Sequence, residues 1–161
     1  MSIRHVLLVA ALLVVAYLGV GAISTALASE ETKIGLLFAD EAAAFNEAAS
    51  TSVLANFAPA WQDETTGISR QDLHRGLLWL FQNRRDGRTQ RFMHRVVLGE
   101  IVVDVQGERA TAVVPLVLHQ GIDAEERTVW ELCVTADLGK RDGSWRIERS
   151  RHETVSGGSP R

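Results

Sequence analysis

The chain has 161 residues, of which 46 % are hydrophobic and 23 % charged, and a net charge of −3. Such mild acidity supplies no basic field for a phosphate backbone, which excludes nucleic acid as a general partner. The single cysteine, Cys133, excludes an intramolecular disulfide, and with no C-x-x-C spacing or neighbouring base it reads as a small buried hydrophobe.

Behind Arg4 and His5, the run Val6 to Ser29 holds 24 residues without a charge. Roughly 20 apolar residues in a helix cross a hydrocarbon core, so the run is long enough to span. With Arg4 before it and Glu30 and Glu31 after it, the chain from Glu30 onward falls outside the cytoplasm. The same residues fit a cleavable signal peptide, because Ala26-Leu27-Ala28 before Ser29 matches an A-x-A site. Both readings export the domain. It is anchored in the inner membrane through residues 1–28, or released to the periplasm or secreted by cleavage after Ala28.

The expected division is therefore residues 1–28 as anchor or signal, 29–155 as one folded domain, and 156–161, with Gly157, Gly158 and Pro160, as a disordered tail. Within the domain, Ile34, Leu37, Phe38, Ala42, Phe45 and Ala49 recur at three and four positions and predict an amphipathic helix over 31–50. Val53, Leu54 and Phe57 predict a second, short helix stopped at Pro59. After a loop over 63–67, Ser69 and Asp72 have capping-box spacing and Ile68 can staple to Leu73. The helix they open buries Leu73, Leu77, Leu80 and Phe81 and ends over 83–87.

The period then changes to two. Residues 92–105 read as a strand, with Ile101, Val103 and Val105 alternating against Glu100, Val102 and Asp104. Gly107-Glu108 turns the chain into a return strand lined by Ala110, Ala112, Val114, Leu116 and Leu118. A third strand over 127–138 places Trp130, Leu132, Val134 and Ala136 on one face, and Asp142-Gly143 is a strong hairpin signal before a fourth strand over 144–153. Helices first and an antiparallel meander afterwards define an α+β layer domain. Long strands with helices on one side must curl, which makes a cone enclosing a cavity.

Several segments carry a resemblance: Ala42-Ala43-Ala44-Phe45-Asn46, Trp61-Gln62-Asp63-Glu64, Leu73-His74-Arg75-Gly76-Leu77-Leu78, Val105-Gln106-Gly107-Glu108-Arg109-Ala110 and Asp142-Gly143-Ser144-Trp145-Arg146-Ile147. In this order they are similar to the nuclear transport factor 2-like, or SnoaL-like, superfamily over residues 31–154. The resemblance implies the cone-shaped, cystatin-like fold, with helices packed on a curved antiparallel sheet, and frequent pairing of two copies sheet to sheet. It does not imply one activity, because members include isomerases, dehydratases and transport adaptors. The ketosteroid-isomerase branch stabilises an enolate with a tyrosine, and the only tyrosine here is Tyr17, inside the apolar run. No catalytic residue carries over.

The five histidines have no metal-ligand spacing, and no cofactor motif is present. The pocket-lining candidates are Trp61, His94, Asp104, His119 and Trp130. If His94, His119 and Asp104 met in the cone, they would suit proton transfer next to a carbonyl, as in an isomerase or dehydratase. Trp61 and Trp130 would wall an apolar cavity for a small apolar ligand. Five arginines within twelve residues, Arg84, Arg85, Arg88, Arg91 and Arg95, read as a solvated helix end. Val102, Val113 and Val117 on an outer face predict a homodimer. The sequence thus favours a non-catalytic exported binding domain. A membrane-tethered scaffold of an envelope assembly is the second reading and an acid–base enzyme the third.

Overall fold

The computed structural model describes residues 28–158. The apolar run assigned to membrane targeting lies, up to residue 27, outside the described residues. Among the described residues no helix is long and apolar enough to cross a membrane. Two compact units, 1–33 and 34–161, divide the chain. Of the first, only the opening of helix α1 is described, where Lys33 Nζ pairs with Glu30 Oε1 at 2.8 Å.

Helix α1 spans Glu30–Asn46, and a one-turn helix α2 spans Ser50–Val53. The predicted single helix to residue 50 breaks at Ala48, whose φ of 56° is left-handed. Strand β1, Phe57–Asp63, follows. Here the sequence reading fails: Phe57 belongs to a strand and Pro59 lies inside it. Proline is tolerated because β1 is the outermost strand in the order β1-β6-β5-β4-β2, and its ladder is irregular between Phe57 and Gln62.

Helix α3, Arg70–Asn83, opens with the predicted capping box: Asp72 N–H donates to Ser69 Oγ at 3.2 Å and Ser69 N–H to Asp72 Oδ2 at 3.1 Å. The predicted strand over 92–105 is two strands, β2 (His94–Leu98) and β3 (Val102–Gln106), both antiparallel to β4 (Arg109–Gln120). The break lies opposite Pro115. Gly99 N–H donates to Pro115 O at 2.7 Å, so the side of Pro115 that lacks an N–H faces the gap between β2 and β3. The N–H and C=O of one strand residue point the same way, which is how a proline survives in a central strand.

Strands β5 (Arg127–Arg141) and β6 (Ser144–Gly157) complete the sheet through the Asp142-Gly143 turn, both with positive φ. Strand β6 runs past its predicted end at 153 and through the start of the predicted tail, because Ser156 and Gly157 pair with Glu131 and Trp130. The sheet is a curved, unclosed, mixed one: β1 joins β6 in parallel, where only antiparallel strands were expected.

One sheet face packs on the helices. Small residues there, Ala110, Ala112 and Ala136, let Ile34, Leu37 and Phe38 of α1 seat against the strands with Trp61, Trp145 and Ile147. A second cluster, Val53, Leu54, Leu77 and Phe81 with Phe45 and Phe92, joins the helices to the start of β2. Cys133 is half-buried and unpaired, more exposed than expected.

Candidate functional site

Strict alternation sorts the candidate residues between the two faces of the sheet. On β2, His94 is buried and Arg95 exposed, so His94 faces the helices. His119 pairs with Arg95 in the β2–β4 register and Asp104 is exposed on β3, hydrogen-bonded to Gln106 Nε2 at 2.8 Å. Both lie on the outer face. The fold therefore does not bring His94, His119 and Asp104 together.

His94 borders a groove of about 450 Å³ at the start of β2, with Asn46, Arg85, Phe92, Arg95 and Glu126 among its walls. Asn46 sits at the end of α1. Its Oδ1 accepts from Val96 N–H at 2.7 Å and its Nδ2 donates to Val96 O at 3.0 Å, so the amide fills the place of a missing strand on the free edge of β2. On the other side, residues 84–92 form a tight loop. Asp86 Oδ1 accepts from Arg88 N–H at 3.1 Å and from the N–H and hydroxyl of Thr89 at 2.6 and 2.8 Å. Donation from Thr89 holds the Asp86 carboxyl below the usual range.

The guanidinium groups of the groove are engaged. Arg85 donates to Phe81 O at 2.7 Å and Gln90 O at 2.9 Å, Arg91 lies 3.3 Å from Asp123, and Arg95 grips Glu126 with two bonds of 2.7 Å. With Glu47 also in the wall, three cations face three anions. The arginine cluster that reads as solvated from sequence thus supplies three wall residues, two paired with carboxylates and Arg85 with backbone carbonyls.

His94 is the exception. It is 3 % exposed, its ring packs on Phe92 at 5.5 Å between centroids, and neither ring nitrogen makes a hydrogen bond within the protein. Burial, and secondarily the charge of Arg84, holds its pKa below the usual 6.5, so the imidazole is neutral near pH 7. A neutral imidazole offers one donor and one acceptor.

A second cluster lies further along the sheet, on β1, β5 and β6. Asp63, 5 % exposed, accepts from Thr66 N–H and Oγ1, both at 2.9 Å, and from Ser150 Oγ at 3.1 Å, with His152 Nδ1 at 3.4 Å. Burial alone would raise its pKa, but donation from Thr66, Ser150 and His152 outweighs that and leaves it below the usual value. The His152 ring stands at 89° to Trp130, whose Nε1 donates to Thr154 Oγ1 at 3.0 Å. Sequence reading singled out Trp130 but missed Asp63 and His152, which are 89 positions apart. Only the register of β6 on β1 brings them together. Trp61 is a core residue, edge-on to Phe57 at 5.0 Å between centroids.

Further buried polar atoms without a hydrogen bond are Trp61 Nε1, Arg70 Nε, Arg84 Nε and Glu41 Oε1. Glu41, on the sheet-facing stripe of α1, has an Oε1 with no hydrogen bond, and burial pushes its pKa to about 8 against the opposing effect of Asn56. Its spacing places it on the stripe of Ile34, Leu37, Phe38 and Phe45, but no motif marks it in the sequence.

The SnoaL-like domain model matches residues 35–151, and the chain belongs to that family. No curated protein matches it. Among solved structures it is similar to a protein of unknown function from Mycobacterium tuberculosis, at 20 % identity and a TM-score of 0.65 over 78 % of this chain and 76 % of that one. It is also similar to a putative scytalone dehydratase from Novosphingobium aromaticivorans, at 14 % identity and a TM-score of 0.65 over 82 % and 89 %. A ketosteroid isomerase-like protein from Erwinia carotovora aligns at 18 % identity and a TM-score of 0.57 over 80 % and 99 %. Likeness at these identities fixes the cystatin-like fold, which hosts isomerases, dehydratases and proteins of unknown function alike.

Proposed function

We propose that this chain is a non-catalytic binding domain, exported or membrane-tethered, whose site is the groove at the start of β2. The carrying observation is His94, a buried imidazole with both nitrogens unpartnered on the wall of a groove of about 450 Å³. Leaving buried polar atoms unpaired costs about 1–3 kcal/mol each, a deficit that a bound molecule relieves once the groove wall parts to bare a ring nitrogen, since both are shut off from solvent in the empty protein. The volume is in the range of small-molecule sites, about 300–1,000 Å³.

The lining also selects a ligand class. Paired arginines and carboxylates leave little net field to attract an ion, while the neutral imidazole asks for an acceptor and a donor. A neutral molecule with a hydroxyl or amide on an apolar body fits, the body resting on Phe92. Binding is favoured over acid–base chemistry because His119 and Asp104, the partners that the sequence suggested for His94, lie on the other face of the sheet.

Val102 on the outer face is 62 % exposed, beside half-buried Val113 and Val117, which supports association of two copies through that face. A thermal-shift screen of neutral small molecules against the protein and its His94→Phe variant tests the groove. Compounds that raise Tm only when His94 is present support it. Compounds that stabilise both equally place binding elsewhere.

A further inference from the structure

The Asp63–His152 pair is separated from His94 by three strand spacings across the sheet, roughly 14 Å, and by seven residues along β5, from the level of Arg127 to that of Val134. It is built differently from the groove. Two neighbours hold the His152 ring and a third holds its backbone. The Asp63 carboxylate lies 3.4 Å from its Nδ1. Thr65 Oγ1 clamps its backbone, accepting from His152 N–H at 2.8 Å and donating to His152 O at 3.1 Å. The indole of Trp130, itself fixed through Thr154, stands against the ring at 5.8 Å between centroids. A fifth of the side chain reaches solvent, 20 % against 8 % for Asp63.

This arrangement sets the tautomer. An ionised Asp63 accepts at Nδ1–H, so the lone pair sits on Nε2, away from the carboxylate. Asp63 already accepts three hydrogen bonds from Thr66 and Ser150, which favours its charged form. It can therefore orient the imidazole and stabilise an imidazolium without taking the proton itself.

We propose that Asp63 and His152 form a second site, in which His152 Nε2 accepts the proton of an acidic hydroxyl on an aromatic ligand held against Trp130. In that step the ligand O–H bond breaks and an N–H bond forms at Nε2. The phenolate stays paired with the imidazolium, and the second ring proton stays on Nδ1, donated as a hydrogen bond to Asp63. On release the proton returns to the ligand, so no other reactant is needed.

The probe is p-nitrophenol, whose ionisation is visible by absorbance. Titrated into the full chain at constant pH, it is expected to quench tryptophan fluorescence saturably while the phenolate band grows beyond that in buffer. Loss of a charge-assisted hydrogen bond corresponds to a loss of about tenfold or more in affinity, which is expected for His152→Gln. Trp130→Phe should remove most of the quenching but keep the absorbance change. His94→Phe should leave both signals unchanged, which separates this site from the groove. Circular dichroism confirms that each variant is folded, and Asp63→Asn, if folded, should weaken the phenolate band as His152→Gln does. Absence of saturation, an unchanged titration in His152→Gln, or loss of both signals in His94→Phe would overturn the proposal.

Discussion

The concave face of the sheet carries two histidines in opposite states. His94 is buried with no protein partner for either nitrogen, whereas His152 is partly open and held by a carboxylate, a hydroxyl clamp and an indole. The first destabilises the protein, since two buried polar atoms go unpaired. The second is already positioned before anything arrives. Recognition can thus be built from a deficit or from preorganisation, and mutations should separate the two by the sign of their effect on stability.

The largest expected effect is at the preorganised end. Asp63→Ala removes the acceptor for Thr66, Ser150 and His152 and should cost about 3 kcal/mol in urea unfolding, because several part-buried donors lose their partner together. A loss well under ~1 kcal/mol would mean that the network is solvated and the contrast false.

Comparable in size, but spread over several pH units, is the pH dependence. Glu41 has its folded pKa raised from 4.5 to about 8, so between those values the folded chain keeps a proton that the unfolded chain has lost. Its contribution is complete below pH 4.5 and disappears as pH rises to about 8, at up to ~1.4 kcal/mol per pH unit. His94 acts with the opposite sign. Its folded pKa lies below 6.5, so stability is lost as pH falls from 6.5 towards that lower value. Denaturant midpoints measured across pH should fall less between pH 4.5 and about 8 in Glu41→Gln, and lose less below pH 6.5 in His94→Phe.

Smaller in size, but decisive in sign, is the stability of His94→Phe at neutral pH. Replacing an unpartnered buried imidazole by a ring that can pack on Phe92 should stabilise the empty protein by about 1–2 kcal/mol. The matched change His152→Phe should destabilise it, because Asp63 loses a donor. If both variants shift the midpoint the same way, the two histidines do not differ as described. The smallest effect is expected away from both sites: Ser69→Ala should cost about 1 kcal/mol or less through loss of the capping box.

The contrast also explains what the sequence could and could not disclose. Elements fixed by local pattern were legible: the Ser69–Asp72 cap, the period-two strands β4 to β6 and the Asp142-Gly143 turn all follow from neighbours within a few positions. Elements decided by distant partners were not. Pro59 reads as a helix stop because nothing local tells that β1 is an edge strand on β6. The break between β2 and β3 depends on Pro115, found in another strand. His94 and Trp130 were named among the candidates, yet their surroundings were hidden, since Asn46, Glu126, Asp63 and His152 reach them only through tertiary register. Of the five arginines in twelve residues four are exposed, as their solvated reading expects, but that Arg91 and Arg95 meet carboxylates was hidden because those lie about thirty positions away.

The central claim, that the His94 groove is where this domain binds, is tested most directly by the ring resonances of His94 in protein labelled at histidine. During titration with a neutral hydroxyl- or amide-bearing compound from the thermal screen, His94 Nδ1 and Nε2 should move saturably, with one becoming a clear donor and the other an acceptor. A ligand that saturates while the His94 nitrogens stay where they are in the empty protein would contradict the account.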